Sequence, residues 1–263
     1  MLRNRIMTST VLIAISVFAI FFDWLTGLIL TALILGCLYE FFTMLQKKGI
    51  DIYKYFGMAM GAIVPLSITF RFELTKGWEL LFMILGFFFL ILMQFKRRKQ
   101  SGAIVDISTT IFGIFYISWS LSFLIKIRYL DQGLGLLAAL LIITKLGDIG
   151  AYLVGSRLGK TPLMPRISPK KSVEGSVGGV IFSALGAMAC KPLLDFTYTQ
   201  LVLAGVIFSV LAQLGDLSES LMKRDCQVKD SGNILPGLGG FLDLMDSLLF
   251  TAPAFYFYMS FKA

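Results

Sequence analysis

Long apolar runs alternate with short polar segments along this chain. Each run approaches the length of about 20 residues that a helix needs to cross the hydrocarbon core of a bilayer. Because a helix satisfies its backbone hydrogen bonds within the segment, apolar runs of this length predict an all-α polytopic membrane protein. We place about nine transmembrane helices, and the short first and seventh runs leave eight as the alternative count. The nine runs lie at roughly 8–22, 24–45, 54–71, 78–95, 104–125, 133–155, 176–191, 200–222 and 242–261.

The loops between these runs differ in their content of lysine and arginine. The loops after the even-numbered runs hold more of these cations, as at 47–48, 96–99 and 157–171, and the loops after the odd-numbered runs hold fewer. In membrane proteins this excess belongs to cytoplasmic loops. The bias therefore predicts a cytoplasmic N-terminus and a C-terminus outside.

The composition changes this picture little. Of the 263 residues, 57% are hydrophobic and 15% are charged, whereas about a quarter is charged in soluble domains. The net charge of +8 comes from the loops, so it indicates membrane topology and not nucleic-acid binding. Cys37, Cys190 and Cys226 lie far apart and predict neither a zinc site nor a disulfide framework. The sequence has no histidine, which excludes catalysis and metal binding by that residue.

Polar residues are divided unevenly between the two halves of the chain. The first four runs carry few charges, Glu40 being one, and we expect them to serve packing and lipid contact. From Asp106 onward the runs gain polar residues, and ionisable side chains at membrane depth mark functional sites. We therefore divide the chain into N-terminal scaffold helices at 1–100 and a C-terminal catalytic region at 101–263.

The sixth run ends in a polar face. Lys145, Asp148 and Tyr152 are spaced i, i+3 and i+7, which places them on one side of a helix. One interpretation is an intramembrane ion pair that holds two helices together. The other is a contribution to an active site, with Asp148 as a further metal ligand.

The loop that follows, PRISPKKSVEGS at 165–176, combines lysines, hydroxyls and the start of a helix. Cations and helix N-termini both favour phosphate oxygens. Two adjacent lysines are common in cytoplasmic loops, so this phosphate cradle depends on support from elsewhere in the chain. Its candidate phosphate ligands are Ser168, Lys170, Lys171 and Ser172.

The stretch 213–250 concentrates both signs of charge between two apolar runs. On the eighth run, one stripe of a helix carries polar residues at i, i+3, i+4 and i+7. On the ninth run, Asp243 and Asp246 are spaced i, i+3 and are expected to share a face. The stripe on the eighth run consists of Asp216, Glu219, Ser220 and Lys223.

Asp216, Asp243 and Asp246 are expected to converge from two helices as catalytic metal ligands. Divalent cations prefer oxygen ligands, so Mg²⁺ in a two-metal site is the expected cofactor, with a monovalent cation as a second candidate. Cations of the intervening loop would meet phosphate oxygens, and this combination is what phosphoryl or nucleotidyl transfer requires. The alternative is a network of neutralising charges in an ion-coupled transporter. The basic candidates are Lys223, as a catalytic residue, and Arg224 and Lys229, as phosphate ligands.

These residues resemble the signature of the phosphatidate cytidylyltransferases, also called CDP-diacylglycerol synthases. The family pattern is S-x-x-K-R-x4-K-D, then P-G-H-G-G, then D-R-x-D. The resemblance extends over about 145–250 and includes G-D-x-x-A-Y-x-x-G at 147–155 and S-P-K-K-S-x-E-G at 168–175. The matching residues of the main signature are Ser220, Lys223, Arg224, Lys229, Asp230, PGLGG at 236–240, Asp243 and Asp246.

The resemblance implies a reaction in which CTP and phosphatidic acid give CDP-diacylglycerol and pyrophosphate. It implies a multi-pass enzyme of the cell inner (cytoplasmic) membrane whose active site faces the cytoplasm. Ser220 and Asp230 then join the CTP- and phosphate-binding residues. The spacing of Gly175 and Gly179 is compatible with a homodimer, and no nucleic-acid partner is expected.

The chain departs from the family pattern at two positions. Leu238 stands where the family has histidine, and Leu244 stands where it has arginine. Every carboxylate that we assign to metal binding remains, so we expect an active, divergent enzyme. The alternatives are a catalytically inactive homologue and a CTP-dependent polyprenol or lipid kinase.

Overall fold

The computed structural model describes residues 22–72, 77–96, 102–234 and 239–262. The first predicted run lies outside these residues except for Phe22, and each of the second to eighth runs coincides with helical structure. The helices and strands are α1 (Asp23–Lys47), α2 (Lys54–Thr69), α3 (Trp78–Gln94), α4 (Ala103–Gly113), a π-helical turn (Ile114–Trp119), α5 (Ser120–Arg128), α6 (Gly133–Leu158), β1 (Pro162–Met164), β2 (Ser168–Ser172), α7 (Val173–Ala189), α8 (Tyr198–Asp225), α9 (Phe241–Met245) and α10 (Leu248–Lys262).

Four helical stretches of the described chain are long and apolar enough to cross a membrane. The apolar parts of α3 and α7 are shorter. The fold class of a helical membrane protein is thus confirmed in outline, whereas the count of nine spans and their orientation remain predictions. The four stretches are Asp23–Lys47, Ala103–Arg128, Gly133–Leu158 and Tyr198–Asp225.

The basic loop after α6 forms an antiparallel hairpin of β1 and β2, so the all-α expectation was wrong for this segment. Pro162 pairs with Ser172 at the open end, and a bulge separates this pair from the next one. Pro165 and Pro169 interrupt any helix here, because proline lacks the backbone donor that a helix interior needs.

The ninth predicted run is not one continuous helix. It is divided into α9 and α10 by a turn at Asp246 and Ser247. The backbone N–H of Ser247 donates to Oδ1 of Asp246 at 2.5 Å, and a local bond of this kind competes with helical hydrogen bonding. Asp246 therefore lies just outside α9, and a face shared with Asp243 stays a prediction.

The described residues form two compact units. The first contains those of Met1–Ile125 and Cys226–Leu244. Its apolar core includes Val64, Met83 and Ile114. This unit joins part of the charged signature stretch to the N-terminal helices, a division that differs from the one at residue 100.

The second unit contains Lys126–Asp225 and the described residues of Met245–Ala263. Small residues allow α6 and α7 to lie close together, since a side chain at Gly147 would overlap Oγ of Ser183. That hydroxyl donates to the carbonyl of Ile143 at 2.9 Å.

The spacing of Gly175 and Gly179 serves this packing within the chain. A Cβ atom at Gly175 would lie 2.9 Å from the carbonyl oxygen of Ala151, and one at Gly179 would lie 3.2 Å from that of Gly147. These two glycines therefore face α6 of the same chain. The prediction of a homodimer has no support from this spacing.

Candidate active site

The candidate site of the second unit depends on a close approach between α8 and the turn at Asp246 and Ser247. Gly215 lies at this contact, where a Cβ atom would overlap the carbonyl oxygen of Asp246. Only a residue without a side chain allows the backbones to approach so closely. Because Asp216 follows Gly215 directly, the approach brings its carboxylate towards that of Asp246.

Three acidic side chains meet at this point, namely Asp216, Glu219 and Asp246. One oxygen of each lies within 4.8 Å of the others. Asp216 and Glu219 are separated by three residues on α8 and so share a face of that helix. Glu219 is fully buried, and the other two are partly exposed.

The two acidic residues on α8 are each paired with a lysine. Lys223, one turn further along α8, places its Nζ 2.5 Å from Oε2 of Glu219. Lys171, on β2, places its Nζ 2.5 Å from Oδ2 of Asp216. These ion pairs offset part of the repulsion among three clustered carboxylates.

A second polar group lies beside the turn and involves α6. Nζ of Lys145 is 3.2 Å from Oδ2 of Asp148 and donates to Oγ of Ser247 at 3.1 Å. The Ser247 hydroxyl also lies 3.4 Å from Oδ2 of Asp148. The polar face of the sixth run is therefore bonded to the turn that carries Asp246.

The hairpin is held on both sides of its lysines. The Ser172 hydroxyl caps α7 by accepting from the backbone N–H of Gly175 at 3.1 Å. Nε of Arg224 donates to the carbonyl of Ile167 at 3.1 Å, which ties the end of α8 to the hairpin turn.

Glu174 fixes the chain that enters the hairpin. Its carboxylate accepts from the backbone N–H groups of Lys160 and Thr161 at 3.1 and 3.2 Å. Hydrogen bonds from its own backbone amide, then from those two residues, lower the pKa of Glu174 from 4.5 to about 2. An ionised Glu174 therefore stabilises the start of the hairpin.

The remaining predicted residues of the second unit lie on the same elements. Ser168 begins β2 and is partly buried, Lys170 on that strand is exposed, and Ser220 on α8 is buried.

Asp243 and the other described residues of 226–244 belong to the first unit. Oδ2 of Asp243 accepts from the backbone N–H groups of Ser231 and Gly240 at 3.1 and 2.8 Å, and from the Ser231 hydroxyl at 2.8 Å. Lys229 and Asp230 are exposed. Leu244 is partly buried, and Leu238 lies outside the described residues.

The sequence did not predict a site role for Glu219, in the carboxylate trio, or for Ser247, in the group with Lys145 and Asp148. The i, i+3 spacing of Asp216 and Glu219 on one stripe could have identified Glu219 as a third acidic ligand. Ser247 gives no comparable signal, because its contacts with Lys145 and Asp148 depend on the turn between α9 and α10.

The donor set suits a hard divalent cation, since three carboxylate oxygens can converge on one point. Lys171 and Lys223, which pair with two of these carboxylates, add positive charge beside them. Together these groups can neutralise and orient a polyphosphate.

Comparisons with known proteins agree with this chemistry. A family model described as "Cytidylyltransferase family" matches residues 3–262. A protein of Bacillus subtilis (strain 168) named phosphatidate cytidylyltransferase is 33% identical over 263 residues, covering 98% of each chain. A protein of the same name from Synechocystis sp. is 35% identical over 249 residues, covering 84% of this chain and 83% of the relative. One from Staphylococcus aureus (strain COL) is 38% identical over 167 residues, covering 63% and 64%.

Proposed function

This chain belongs to the cytidylyltransferase family, and we propose that it transfers the CMP moiety of CTP to phosphatidic acid. The products are CDP-diacylglycerol, for phospholipid biosynthesis, and pyrophosphate. The observation that carries the proposal is the trio of Asp216, Glu219 and Asp246, with Lys171 and Lys223 in ion pairs with two of its members. Oxygen ligands for a metal beside cations for phosphates are what nucleotidyl transfer needs.

In this reaction, an oxygen of the phosphatidate phosphate forms a bond to the α-phosphorus of CTP. The bond between that phosphorus and the oxygen that bridges to the β-phosphate breaks, and its electron pair leaves with pyrophosphate. The attacking phosphate is already anionic, so no side-chain nucleophile is required. The protein contributes alignment of the two substrates and neutralisation of charge.

The carboxylate trio fits Mg²⁺, because hard cations of this size bind carboxylate oxygens. Bound Mg²⁺ supplies neutralisation of charge on the triphosphate and the leaving pyrophosphate. Asp216, Glu219 and Asp246 are the proposed ligands. Asp148 is a further candidate through its group with Lys145 and Ser247, and Asp243 is assigned by its match to the family signature. A second Mg²⁺ or a monovalent cation completes the proposed cofactor set.

Some of the proposed phosphate ligands are supported by contacts in the structure, and the others by the sequence alone. Lys171 and Lys223 are held beside carboxylates by ion pairs, which orients their ammonium groups towards the metal ligands. Ser172 and Arg224 are bonded to the hairpin or to the helix that follows it. Ser168, Lys170 and Lys229 are assigned by the charge and hydroxyl pattern of the sequence, and Ser220 and Asp230 by the family signature.

We place the protein in the cell inner membrane as a multi-pass enzyme with nine spans, a cytoplasmic N-terminus and a cytoplasmic active site. Lysine- and arginine-rich loops support this orientation. A lipid substrate can then keep its acyl chains in the bilayer while its phosphate meets a nucleotide from the cytoplasm. A homodimer would have to use a surface other than Gly175 and Gly179.

The complete carboxylate trio favours an active enzyme over an inactive homologue, despite Leu238 and Leu244. The deciding experiment supplies the purified protein with labelled CTP, phosphatidic acid and Mg²⁺ and identifies the lipid product by mass spectrometry. We expect CDP-diacylglycerol from the wild-type protein and almost none from Asp246→Asn. Asp51→Asn, at an exposed carboxylate of the first unit, is the matched control and should retain activity.

A parallel reaction contains polyprenol in place of phosphatidic acid. Formation of polyprenyl phosphate and CDP there, without CDP-diacylglycerol in the first reaction, would replace the proposal by a CTP-dependent lipid kinase. If the folded wild-type protein forms neither product with Mg²⁺ or Mn²⁺, the chain is an inactive homologue.

A further inference from the structure

Glu40 is a carboxyl group inside an apolar helix of the first unit. It lies on α1, a stretch with the composition of a membrane span, and is only 2% exposed. Burying a carboxyl group in such surroundings is unfavourable unless hydrogen bonds compensate. Its presence on a helix that the sequence assigned only to packing therefore calls for a specific partner.

That partner is the segment 226–244, which carries Asp243. Oε2 of Glu40 accepts from the backbone N–H of Leu242 at 3.0 Å. The same oxygen lies 3.0 Å from the hydroxyl of Ser231. One carboxyl group on α1 thus contacts described residues of the segment on both sides of 235–238.

Ser231 connects Glu40 to Asp243. Its hydroxyl lies 2.8 Å from Oδ2 of Asp243, and its backbone N–H donates to the same oxygen at 3.1 Å. Ser231 is buried, with 7% of its surface exposed. The path from Glu40 to Asp243 therefore runs through one buried hydroxyl.

Glycines of the segment leave room for the Glu40 side chain. A Cβ atom at either Gly232 or Gly240 would overlap a carboxyl oxygen of Glu40. One turn before Glu40, a Cβ atom at Gly36 would lie 2.6 Å from the ring of Phe241. Three glycines therefore leave the space that lets α1 and the segment meet.

We propose that Glu40 is a positioning residue that anchors segment 226–244 to α1 and orients Asp243 through Ser231. The role in catalysis rests on the proposed function, because Asp243 enters the reaction through its match to the family signature. The anchoring itself rests on the hydrogen bonds and does not depend on any activity. The N-terminal helices accordingly hold part of the catalytic apparatus in place.

The test compares Glu40→Leu, which has a similar size but no acceptor, with Glu40→Gln, which keeps an acceptor oxygen. Thr31→Val is the matched control, since Thr31 is a buried residue of α1 whose hydroxyl bonds within the helix to Gly27. Each protein is assayed for CDP-diacylglycerol formation across a Mg²⁺ titration. Tryptic cleavage after the exposed Lys229 is followed separately by mass spectrometry.

We expect Glu40→Leu to lower turnover about tenfold or more, because small displacements of a catalytic group have effects of this size. Its Mg²⁺ requirement should rise, and cleavage after Lys229 should be faster by about tenfold as the segment opens more often. Glu40→Gln and Thr31→Val should stay within about threefold of wild type in both measurements, on the same grounds.

Wild-type cleavage and Mg²⁺ dependence in Glu40→Leu would overturn the inference. Should Glu40→Leu fail to fold, Ser231→Ala decides, and unchanged turnover and cleavage in that variant would reject the path through Ser231. An inactive wild-type protein would instead reject the proposed function, and cleavage after Lys229 would still decide the anchoring.

Discussion

The Nζ atom of Lys171 lies 2.5 Å from Oδ2 of Asp216. Lys171 comes from the hairpin, which is predicted to bind phosphate, and Asp216 comes from the helix predicted to bind metal. Their ion pair joins these two predicted features in one cluster of the second unit. The lysine therefore lies where positive charge can act on phosphates near the carboxylates.

Replacement of Lys171 by methionine should weaken the use of CTP. We expect kcat/KM for CTP to fall by about 10- to 100-fold, because a charge-assisted contact to a phosphate contributes roughly 1.5–3 kcal/mol. Steady-state kinetics with varied CTP measure this effect. Lys160→Met is the matched control, since the side chain of this lysine is exposed in the same loop, and an equal loss in both variants would contradict a special role for Lys171.

Lys223→Met should destabilise the protein as well as inactivate it. Glu219 is fully buried, and removal of the cation 2.5 Å from it leaves buried negative charge without its partner. We expect the free energy of unfolding to fall by about 3 kcal/mol, measured by chemical unfolding in detergent. The double variant Glu219→Gln/Lys223→Met should recover stability but not activity. If the double variant is as unstable as the single one, the ion pair is not the cause.

Gly215→Ala should separate α8 from the turn that carries Asp246. The added methyl group would overlap a backbone carbonyl, which cannot move aside as a flexible side chain can. We expect activity to fall at least about 100-fold, since a displacement of about 1 Å can have that effect. Gly135→Ala is the control, because its Cβ atom would have ordinary contacts at 3.6 Å. Near-normal activity of Gly215→Ala would show that the close approach is dispensable.

The lowered pKa of Glu174 predicts that the stability of the chain at Lys160 and Thr161, just before the hairpin, depends on pH. This pKa is lowered from 4.5 to about 2 in the folded chain, so the unfolded chain binds the proton more readily. The stabilisation is therefore complete above about pH 4.5 and is lost as the pH falls towards 2. At neutral pH, Glu174→Gln should increase hydrogen exchange at the Lys160 and Thr161 amides, and this difference from wild type should disappear near pH 2.

Hydrogen exchange of the peptide that contains Lys160 and Thr161 measures this difference at pH 7 and near pH 2. Asp131→Asn, at an exposed carboxylate of the same unit, should exchange like wild type at both pH values. A difference for Glu174→Gln that is absent at pH 7, or unchanged near pH 2, would argue against the ionised carboxylate as the cause.

The helices were predictable from the sequence because hydropathy and length are local properties of the chain. The second to eighth apolar runs all coincide with helical structure, and the charge-rich end of α8 is continuous as the i, i+3, i+4 and i+7 spacing requires. The hairpin and the break at Asp246 were missed, since the first depends on strand pairing and the second on a side chain that bonds a backbone donor.

By itself, the sequence determined the helical membrane class, the family and the residue types that carry the chemistry. The length of an apolar run and the spacing of a signature are local properties of the chain, so both can be read without a structure. Only the tertiary structure decided that Glu219 joins Asp216 and Asp246, and that Glu40 binds the segment with Asp243. The physical reason is that such contacts depend on how closely helices and turns pack. Gly215 permits the close contact with the Asp246 carbonyl, and Gly240 leaves room for the Glu40 carboxyl group. In both cases the residues that meet are far apart in the sequence.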